Sequence, residues 1–113
     1  MRVIAATDPT NPERIPILED MKSLNRSGRG GCVSAMIRML ADLRENGQAS
    51  RYLKHLGGRL YELKTRTPVG GARVYFFVLG GVAYLCRAEC KREDKASAAL
   101  LDDTAAMLEA YRE

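Results

Sequence analysis

The sequence predicts a single α+β domain in which a small antiparallel sheet packs against helices. Three observations indicate this fold class. Apolar residues recur at helical spacing in the N-terminal half, alternate with charged residues from residue 61, and return to helical spacing after residue 95. Gly80-Gly81 interrupts a run of β-branched and aromatic residues where a two-residue hairpin turn is expected. The length of 113 residues suits one domain, which we assign to residues 1–113.

The N-terminal part predicts one strand and two helices. Residues 1–7 form a short strand that ends at the turn-forming residues 8–12. Pro16 is tolerated at the first helical position, so the first helix is expected to begin there. The second helix ends at Asn46-Gly47 and carries one apolar stripe facing the core, formed by Val33, Met36, Ile37, Leu40 and Leu43. Gly28–Gly31 follows no predicted strand, which favours a turn between the helices over a phosphate loop.

Three antiparallel strands come next, and we expect them at residues 61–66, 73–79 and 82–88. In the first of them Glu62, Lys64 and Arg66 alternate with mostly apolar residues, which is typical of a strand with one solvent-exposed face. The hairpin register pairs Phe77 with Tyr84 and Arg73 with Ala88. The opposite face of the hairpin is apolar and is expected under the helices: Val74, Phe76, Val78, Ala83 and Leu85.

The net charge of +4 is unevenly distributed along the chain. Residues 51–92 hold nine basic and two acidic side chains, a net charge of +7, whereas residues 93–113 have a net charge of −4. A basic sheet face suits a phosphate backbone, because each neutralised phosphate releases condensed counterions. Tyr75, Phe77 and Tyr84 beside Arg73 would add stacking for unpaired bases; the alternative is that these aromatics are core and the charges a solvated rim.

The last helix bears on whether that basic face is open. It carries four apolar residues on one side, namely Leu100, Met107, Leu108 and Tyr111. If Leu100, Met107 and Tyr111 pack on the Arg73 face, this acidic helix shields the basic sheet in the isolated chain.

The cysteines and the apolar runs indicate a cytoplasmic protein. No apolar run approaches the roughly 20 residues of a membrane span, and the N-terminus lacks a signal-peptide core. Cys32, Cys86 and Cys90 are odd in number and have no CxxC spacing. We therefore expect reduced, buried thiols and no metal site. His55, expected near a helix end, has the one side chain whose free pKa suits proton transfer at neutral pH. A lone histidine is more often a structural or surface residue than a catalyst.

Several short motifs resemble the RelE/ParE toxin superfamily, and most closely its HigB-like, phage-derived branch. They are His55-Leu56-Gly57-Gly58-Arg59-Leu60-Tyr61-Glu62-Leu63-Lys64, then Arg73-Val74-Tyr75-Phe76, and then the basic pair Lys91-Arg92. That branch has a Leu-x-x-Gly-Leu-Tyr-Glu-Leu-Arg strand, an Arg-Val-Phe-Tyr strand, an apolar strand, Lys-Lys and a closing helix. The order of motifs extends over nearly the whole chain, and it implies a RelE-like fold.

The resemblance implies the toxin half of a type II toxin–antitoxin system. RelE- and HigB-like toxins are metal-independent endoribonucleases that need no cofactor, cleave messenger RNA, usually at the ribosome, and inhibit translation. The expected partners are messenger RNA on the ribosome and a cognate antitoxin of helix-turn-helix type. The expected assembly is a toxin–antitoxin heteromer or a homodimer. Carried over by position, the catalytic cations are Lys64, Arg73, Lys91 and Arg92, with Arg73 stabilising the transition state.

The remaining site assignments rest on chemistry rather than on matched motifs. Cleavage by the 2′-hydroxyl needs a base, cations around the phosphorane and an acid for the leaving oxygen. His55, Lys54 and Tyr111 are the candidates for the acid–base group, and no motif selects among them. Further RNA contacts are assigned to Arg51, Lys54, Arg66 and Arg87.

Three departures from the family pattern keep other functions open. Lys64 stands where the family has Arg and lacks its bidentate fork, and Cys90 replaces a Phe before the basic pair. Glu93-Asp94 adds negative charge directly after that pair. The alternatives are a ParE-like, gyrase-targeting toxin and a silenced, phage-derived protein that binds nucleic acid without cleaving it.

Overall fold

The computed structural model describes residues 1–112 and contains five strands and three helices. In chain order they are β1 (Arg2–Ala5), α1 (Pro16–Arg26), α2 (Gly30–Asn46), β2 (Leu53–Gly57), β3 (Leu60–Thr67), β4 (Gly70–Leu79), β5 (Val82–Lys91) and α3 (Ala98–Arg112). A short 3-10 turn, Gly47–Ala49, follows α2. Across residues 1–112, no helix is both long and apolar enough to cross a membrane.

The α+β class is confirmed, but the predicted four-stranded antiparallel sheet is wrong in two respects. The sheet has five strands in the order β1-β5-β4-β3-β2, and β1 pairs with β5 in parallel. The strand missing from the prediction is β2, which includes His55; that residue does not lie near a helix end. Lys54 and His55 are both exposed at this sheet edge, so β2 has no alternating pattern that would reveal it.

The β4–β5 hairpin keeps the predicted register only near its turn. Phe77 pairs with Tyr84 as predicted. A β-bulge in the middle of the hairpin then shifts the pairing by one residue, so Arg73 lies opposite Glu89 rather than Ala88. A bulge adds one unpaired residue to one strand, and its position depends on packing that the turn sequence does not specify. The shift places a carboxylate on the Arg73 face of the sheet.

The two faces of the sheet carry two separate apolar clusters. Helices α1 and α2 cover one face, where Val74, Phe76, Ala83 and Leu85 are buried, as predicted. Helix α3 covers the other face with Met107 and Leu108, against Phe77 and Cys86. The core stripe predicted for α2 is wrong at Ile37, which is 58% exposed.

The predicted solvent-exposed face of β3 is covered at one end and exposed at Arg66. Glu62 is fully buried, and Lys64, the next residue on that face, is partly buried. The alternation of charged and apolar residues predicted the strand correctly, but it could not show that an ion pair satisfies a buried charge on the polar side.

Two of the three cysteines form a disulfide, which overturns the expectation of reduced thiols. Cys32 on α2 and Cys90 at the end of β5 are bonded, with Cα atoms 6.0 Å apart, a usual disulfide separation. The two residues are 58 positions apart in sequence, so their spacing gave no sign of the pairing. Cys86 is free and buried as expected, and burial raises its pKa to about 12.

The disulfide predicts a specific thiol count. The chain unfolded without reductant should show one reactive thiol, and after reduction it should show three. Reduction should also lower the free energy of unfolding by about 2–4 kcal/mol, because the cross-link restricts the unfolded chain. Thiol titration in denaturant and urea unfolding with and without reductant measure both quantities. The control Cys86→Ala should show no thiol before reduction and two after it. Three reactive thiols in wild-type protein purified without reductant would contradict the pairing.

Candidate functional site

Most of the predicted site residues meet in one cleft of about 270 Å³. It lies where the β3–β4 turn adjoins the end of β5 and the loop after it. The basic residues that line it are Lys64, Arg66, Arg73, Lys91 and Arg92. The structure therefore brings together four of the five candidate catalytic residues and one of the candidate RNA-binding residues. Glu93 and Asp94 line the same cleft.

Strand pairing explains why these side chains converge. Lys64 on β3 lies opposite Arg73 on β4, and Lys91 on β5 lies opposite Gly71. A Cβ added at Gly71 would lie 3.1 Å from the Lys91 carbonyl oxygen. At Gly70, where φ is +137°, an added Cβ would lie 2.9 Å from the Cys90 Sγ. Glycine at these positions lets the end of β5 approach the turn closely.

Arg73 lines the cleft but is not an open phosphate clamp. Its side chain is 2% exposed, and its Nη1 donates to Glu62 Oε2 at 3.1 Å. Its Nη2 donates to the Glu93 carbonyl oxygen at 3.3 Å and lies 3.6 Å from Asp94 Oδ1. The Arg73 Nε is buried without a hydrogen-bond partner among the described residues. The guanidinium is therefore bound to protein acceptors on both of its terminal nitrogens.

Lys64 is partly accessible in the cleft, and an acidic side chain contacts it. Its side chain is 31% exposed, and its Nζ donates to Asp94 Oδ1 at 2.6 Å. The hydrogen bond and charge of Lys64 lower the pKa of the Asp94 carboxyl, and the charge of Arg73 lowers it further. Asp94 is therefore charged at neutral pH.

A hydrogen-bond network anchors Lys91 and the loop after β5. Lys91 Nζ donates to the Lys95 carbonyl oxygen at 2.7 Å and to Ser97 Oγ at 3.3 Å. Ser97 Oγ in turn donates to Glu89 Oε1 at 2.6 Å, and the Tyr75 hydroxyl donates to the same carboxylate. Burial and the adjacent Glu89 carboxylate raise the pKa of Tyr75, so its hydroxyl stays protonated. This network fixes Lys91 at the rim of the cleft.

Arg66 and Arg92 are the exposed guanidiniums of the cleft. Both are classed as solvent-exposed, and within residues 1–112 neither forms a hydrogen bond or ion pair with another side chain. They are consequently able to contact a ligand without first breaking an internal contact. The predicted roles, RNA binding for Arg66 and catalysis for Arg92, stay predictions that are supported by the position of these residues in the cleft and by their exposure.

His55 lies away from the cleft. It is on β2 opposite Tyr61, three residues along β3 from Lys64, which corresponds to about 10 Å at the rise of a strand. Its ring packs on Tyr61 with centroids 4.8 Å apart, and its Nε2 is 2.8 Å from the Gly58 carbonyl oxygen. The structure does not bring His55 to the predicted catalytic cations.

Three of the four candidate RNA-binding residues also lie elsewhere. Arg51 places its guanidinium over the Tyr52 ring, 4.9 Å from the centroid, and Lys54 is exposed on β2. Arg87 donates to Asp20 of α1 at 2.8 Å and also pairs with Asp103 of α3. Arg87 thus connects helices on opposite faces of the sheet and has a structural role in this conformation.

The aromatic residues are core rather than a stacking platform. Tyr75 and Phe77 are fully buried. Phe77 stacks on Tyr84 at 5.0 Å between centroids, and Tyr111 of α3 packs against both rings. The base-stacking interpretation is therefore wrong for this face, and the alternative of core aromatics is correct. Tyr111 lies in this cluster, with its hydroxyl accepting from the Thr7 amide at 3.1 Å.

Helix α3 shields only part of the Arg73 face. It covers the aromatic cluster, whereas the ion pair with Glu62 and the Glu93-Asp94 segment cover Arg73 itself. Glu62 and Ser97 are parts of the site that sequence patterns did not predict. The one pattern that could have indicated Glu62 is its place on the polar side of β3 beside Lys64. The role of Ser97 depends on the register shift that places Glu89 beside it.

The chemistry available in the cleft is electrostatic. Lysine and arginine side chains bind phosphate oxygens and stabilise charge that develops on phosphorus. Among residues 1–112 we find no group of three or more His, Cys, Asp or Glu side chains placed to hold a metal ion.

Comparison of the chain with protein-family models gives no match, and comparisons with curated proteins and with solved structures give none either.

The buried Glu62–Arg73 pair predicts a large loss of stability when one partner is removed. Arg73→Ala should lower the free energy of unfolding by about 3–5 kcal/mol, because it leaves a buried carboxylate without its counter-charge. Glu62→Gln should lower it as well, since the amide lacks the charge that balances Arg73. Urea unfolding followed by circular dichroism measures both. A loss below about 1 kcal/mol for Arg73→Ala would contradict the burial of this pair.

The Lys64–Asp94 contact predicts a shifted titration. In the wild type the Asp94 carboxyl should titrate below its ordinary pKa, and Lys64→Ala should move it back up, because the main source of the shift is then absent. A carboxyl with a depressed pKa contributes stability that is lost as the pH falls through that pKa. NMR titration of the Asp94 side chain measures the shift. An unchanged titration in Lys64→Ala would contradict the contact.

Proposed function

We propose that the cleft binds the phosphodiester backbone of RNA and that the chain is the toxin of a type II toxin–antitoxin system. The proposed family is the RelE/ParE superfamily, in its HigB-like branch with a RelE-like fold, and the proposed activity is endonucleolytic cleavage of messenger RNA at the ribosome. The observation that supports this proposal most is the convergence of five basic side chains from β3, β4 and the end of β5 on one cleft.

The charge of the cleft favours a polyanion over other ligands. Five basic residues oppose Glu93 and Asp94, so the lining has a net charge of +3. A protein that neutralises several phosphates of a nucleic-acid backbone gains free energy from counterion release at each of them. A single-stranded RNA can follow such a groove, with Lys64, Arg66 and Arg92 as the accessible contacts.

The proposed catalysis is mainly electrostatic. The RNA 2′-hydroxyl gives its proton to solvent water and its oxygen bonds to the adjacent phosphorus, and Lys64 and Arg92 stabilise the negative charge of the phosphorane. The bond from phosphorus to the 5′-oxygen then breaks and that oxygen takes a proton from water, which leaves a 2′,3′-cyclic phosphate and a 5′-hydroxyl. Arg73 lies beneath these two cations, paired with the buried Glu62, and its Nη2 donates to the backbone of the loop that lines the cleft. Its position makes it a supporting residue rather than a direct contact, which changes the role that the family resemblance implies for it.

A non-catalytic protein of the same superfamily is the second candidate. One observation favours it: the residues that line the cleft include no histidine, and His55, the sole histidine of the chain, is on β2. A gyrase-targeting toxin or a silenced nucleic-acid-binding protein needs the cations without an acid–base pair. Either candidate would be held inactive by an antitoxin that covers the basic cleft.

The proposed site of action is the cytoplasm, where messenger RNA is translated. The Cys32–Cys90 disulfide is unusual for that compartment. The redox state of this pair in cells is therefore an independent check on the proposed location.

Mapping of new RNA 5′ ends after induction tests the activity. Wild type should produce them, and the double variant Lys64→Ala with Arg92→Ala should reduce them at least about 10-fold, because it removes two accessible cations. Arg38→Ala is the matched control, since Arg38 is exposed on α2 outside the cleft. We avoid Arg73→Ala because its burial confounds activity with folding.

Two outcomes would contradict the proposed activity. Undiminished cleavage in the double variant would show that the cleft is not the site. Growth arrest with DNA damage and no new 5′ ends would favour the gyrase-targeting alternative.

A further inference from the structure

The acidic segment, Glu93-Asp94, lies inside a cleft whose other charged residues are basic. Asp94 Oδ1 is 2.6 Å from Lys64 Nζ and 3.6 Å from Arg73 Nη2, so one carboxylate oxygen lies between two cations. Glu93 Oε2 is 3.6 Å from Lys91 Nζ. A non-bridging phosphate oxygen carries the same charge and accepts the same hydrogen bonds as this Asp94 oxygen.

We propose that the acidic segment is an internal competitor for phosphate, which must leave the cleft before RNA binds. This inference rests on the proposed function, because it assigns a regulatory contact to the same cleft. The segment holds the cations in place in the absence of RNA and reduces their affinity for isolated anions.

The surrounding contacts allow such a displacement without unfolding. The segment belongs to a loop between Lys91, where β5 ends, and Ala98, where α3 begins. Ser97 remains anchored to Glu89 at the far end of that loop. The moving part is therefore about four residues long. When it moves, the Glu93 and Lys95 carbonyl oxygens give up the hydrogen bonds from Arg73 and Lys91, and neither secondary-structure element has to change.

The contacts of the acidic segment are weaker than the buried ion pair beneath it, as the displacement requires. The Asp94 side chain is 74% exposed, so solvent screens its attraction to Lys64. Arg73 is paired with the fully buried Glu62, and that contact stays in place. A ligand with several adjacent phosphates competes with two solvent-exposed carboxylates, Asp94 on Lys64 and Glu93 on Lys91, whereas a single anion gains little over them.

Fluorescence anisotropy with a labelled single-stranded RNA 12-mer in low salt tests this inference. Asp94→Asn should bind about 3- to 10-fold more tightly than the matched control Asp102→Asn. Asp102 is exposed on α3 and outside the cleft, so its variant makes the same change in net charge. Equal affinities for the two variants would overturn the inference and leave the proposed RNA binding intact.

A second measurement tests the contact without RNA. The rate of acylation of Lys64, followed by mass spectrometry, should rise several-fold in Asp94→Asn and stay unchanged in Asp102→Asn, because a lysine released from an ion pair is more accessible. An unchanged rate in Asp94→Asn would overturn the inference. Absence of RNA binding by every protein, with a raised Lys64 rate in Asp94→Asn, would instead overturn the proposed function while the contact itself stands.

Discussion

The buried ion pair between Glu62 and Arg73 is the constraint on which the cleft depends. Two charges removed from water are costly unless each meets its partner, and here they meet diagonally across β3 and β4. With Nη1 on Glu62, the Arg73 guanidinium directs Nη2 at the Glu93 carbonyl oxygen and at Asp94. One arginine therefore holds the polar face of the sheet and, in the absence of RNA, positions the loop that covers it. Removal of either partner would disturb the fold and the cleft together.

This arrangement explains how a chain with a net charge of only +4 presents a strongly basic site. Acidic residues are placed where they serve the fold: Asp20 and Asp103 hold Arg87 between α1 and α3, and Glu89 holds Ser97. The cations of the cleft are opposed mainly by the acidic segment, through solvent-exposed contacts. Charge at the cleft is consequently available to a ligand, whereas charge at Arg87 is not.

Local patterns predicted the helices, the hairpin and the apolar face under α1 and α2, because periodicity and turn residues act over a few positions. The parts that depend on distant contacts were not predictable in this way. The edge strand β2 lacks alternation, and the bulge that pairs Arg73 with Glu89 depends on packing. The Cys32–Cys90 disulfide joins residues far apart in sequence. For the site, the order of motifs grouped four residues that the structure brings into one cleft, namely Lys64, Arg73, Lys91 and Arg92. It could not show that Arg73 is buried or that His55 lies on another strand.

The central claim is that the cleft between the β3–β4 turn and the end of β5 is the RNA-binding surface. NMR amide shifts on titration with a 2′-O-methyl RNA, which cannot be cleaved by attack of its 2′-oxygen, test it most directly. The account predicts that the largest shifts fall within residues 64–71 and 91–94. Shifts confined to the exposed basic residues of α2, or no shifts at saturating RNA, would contradict it.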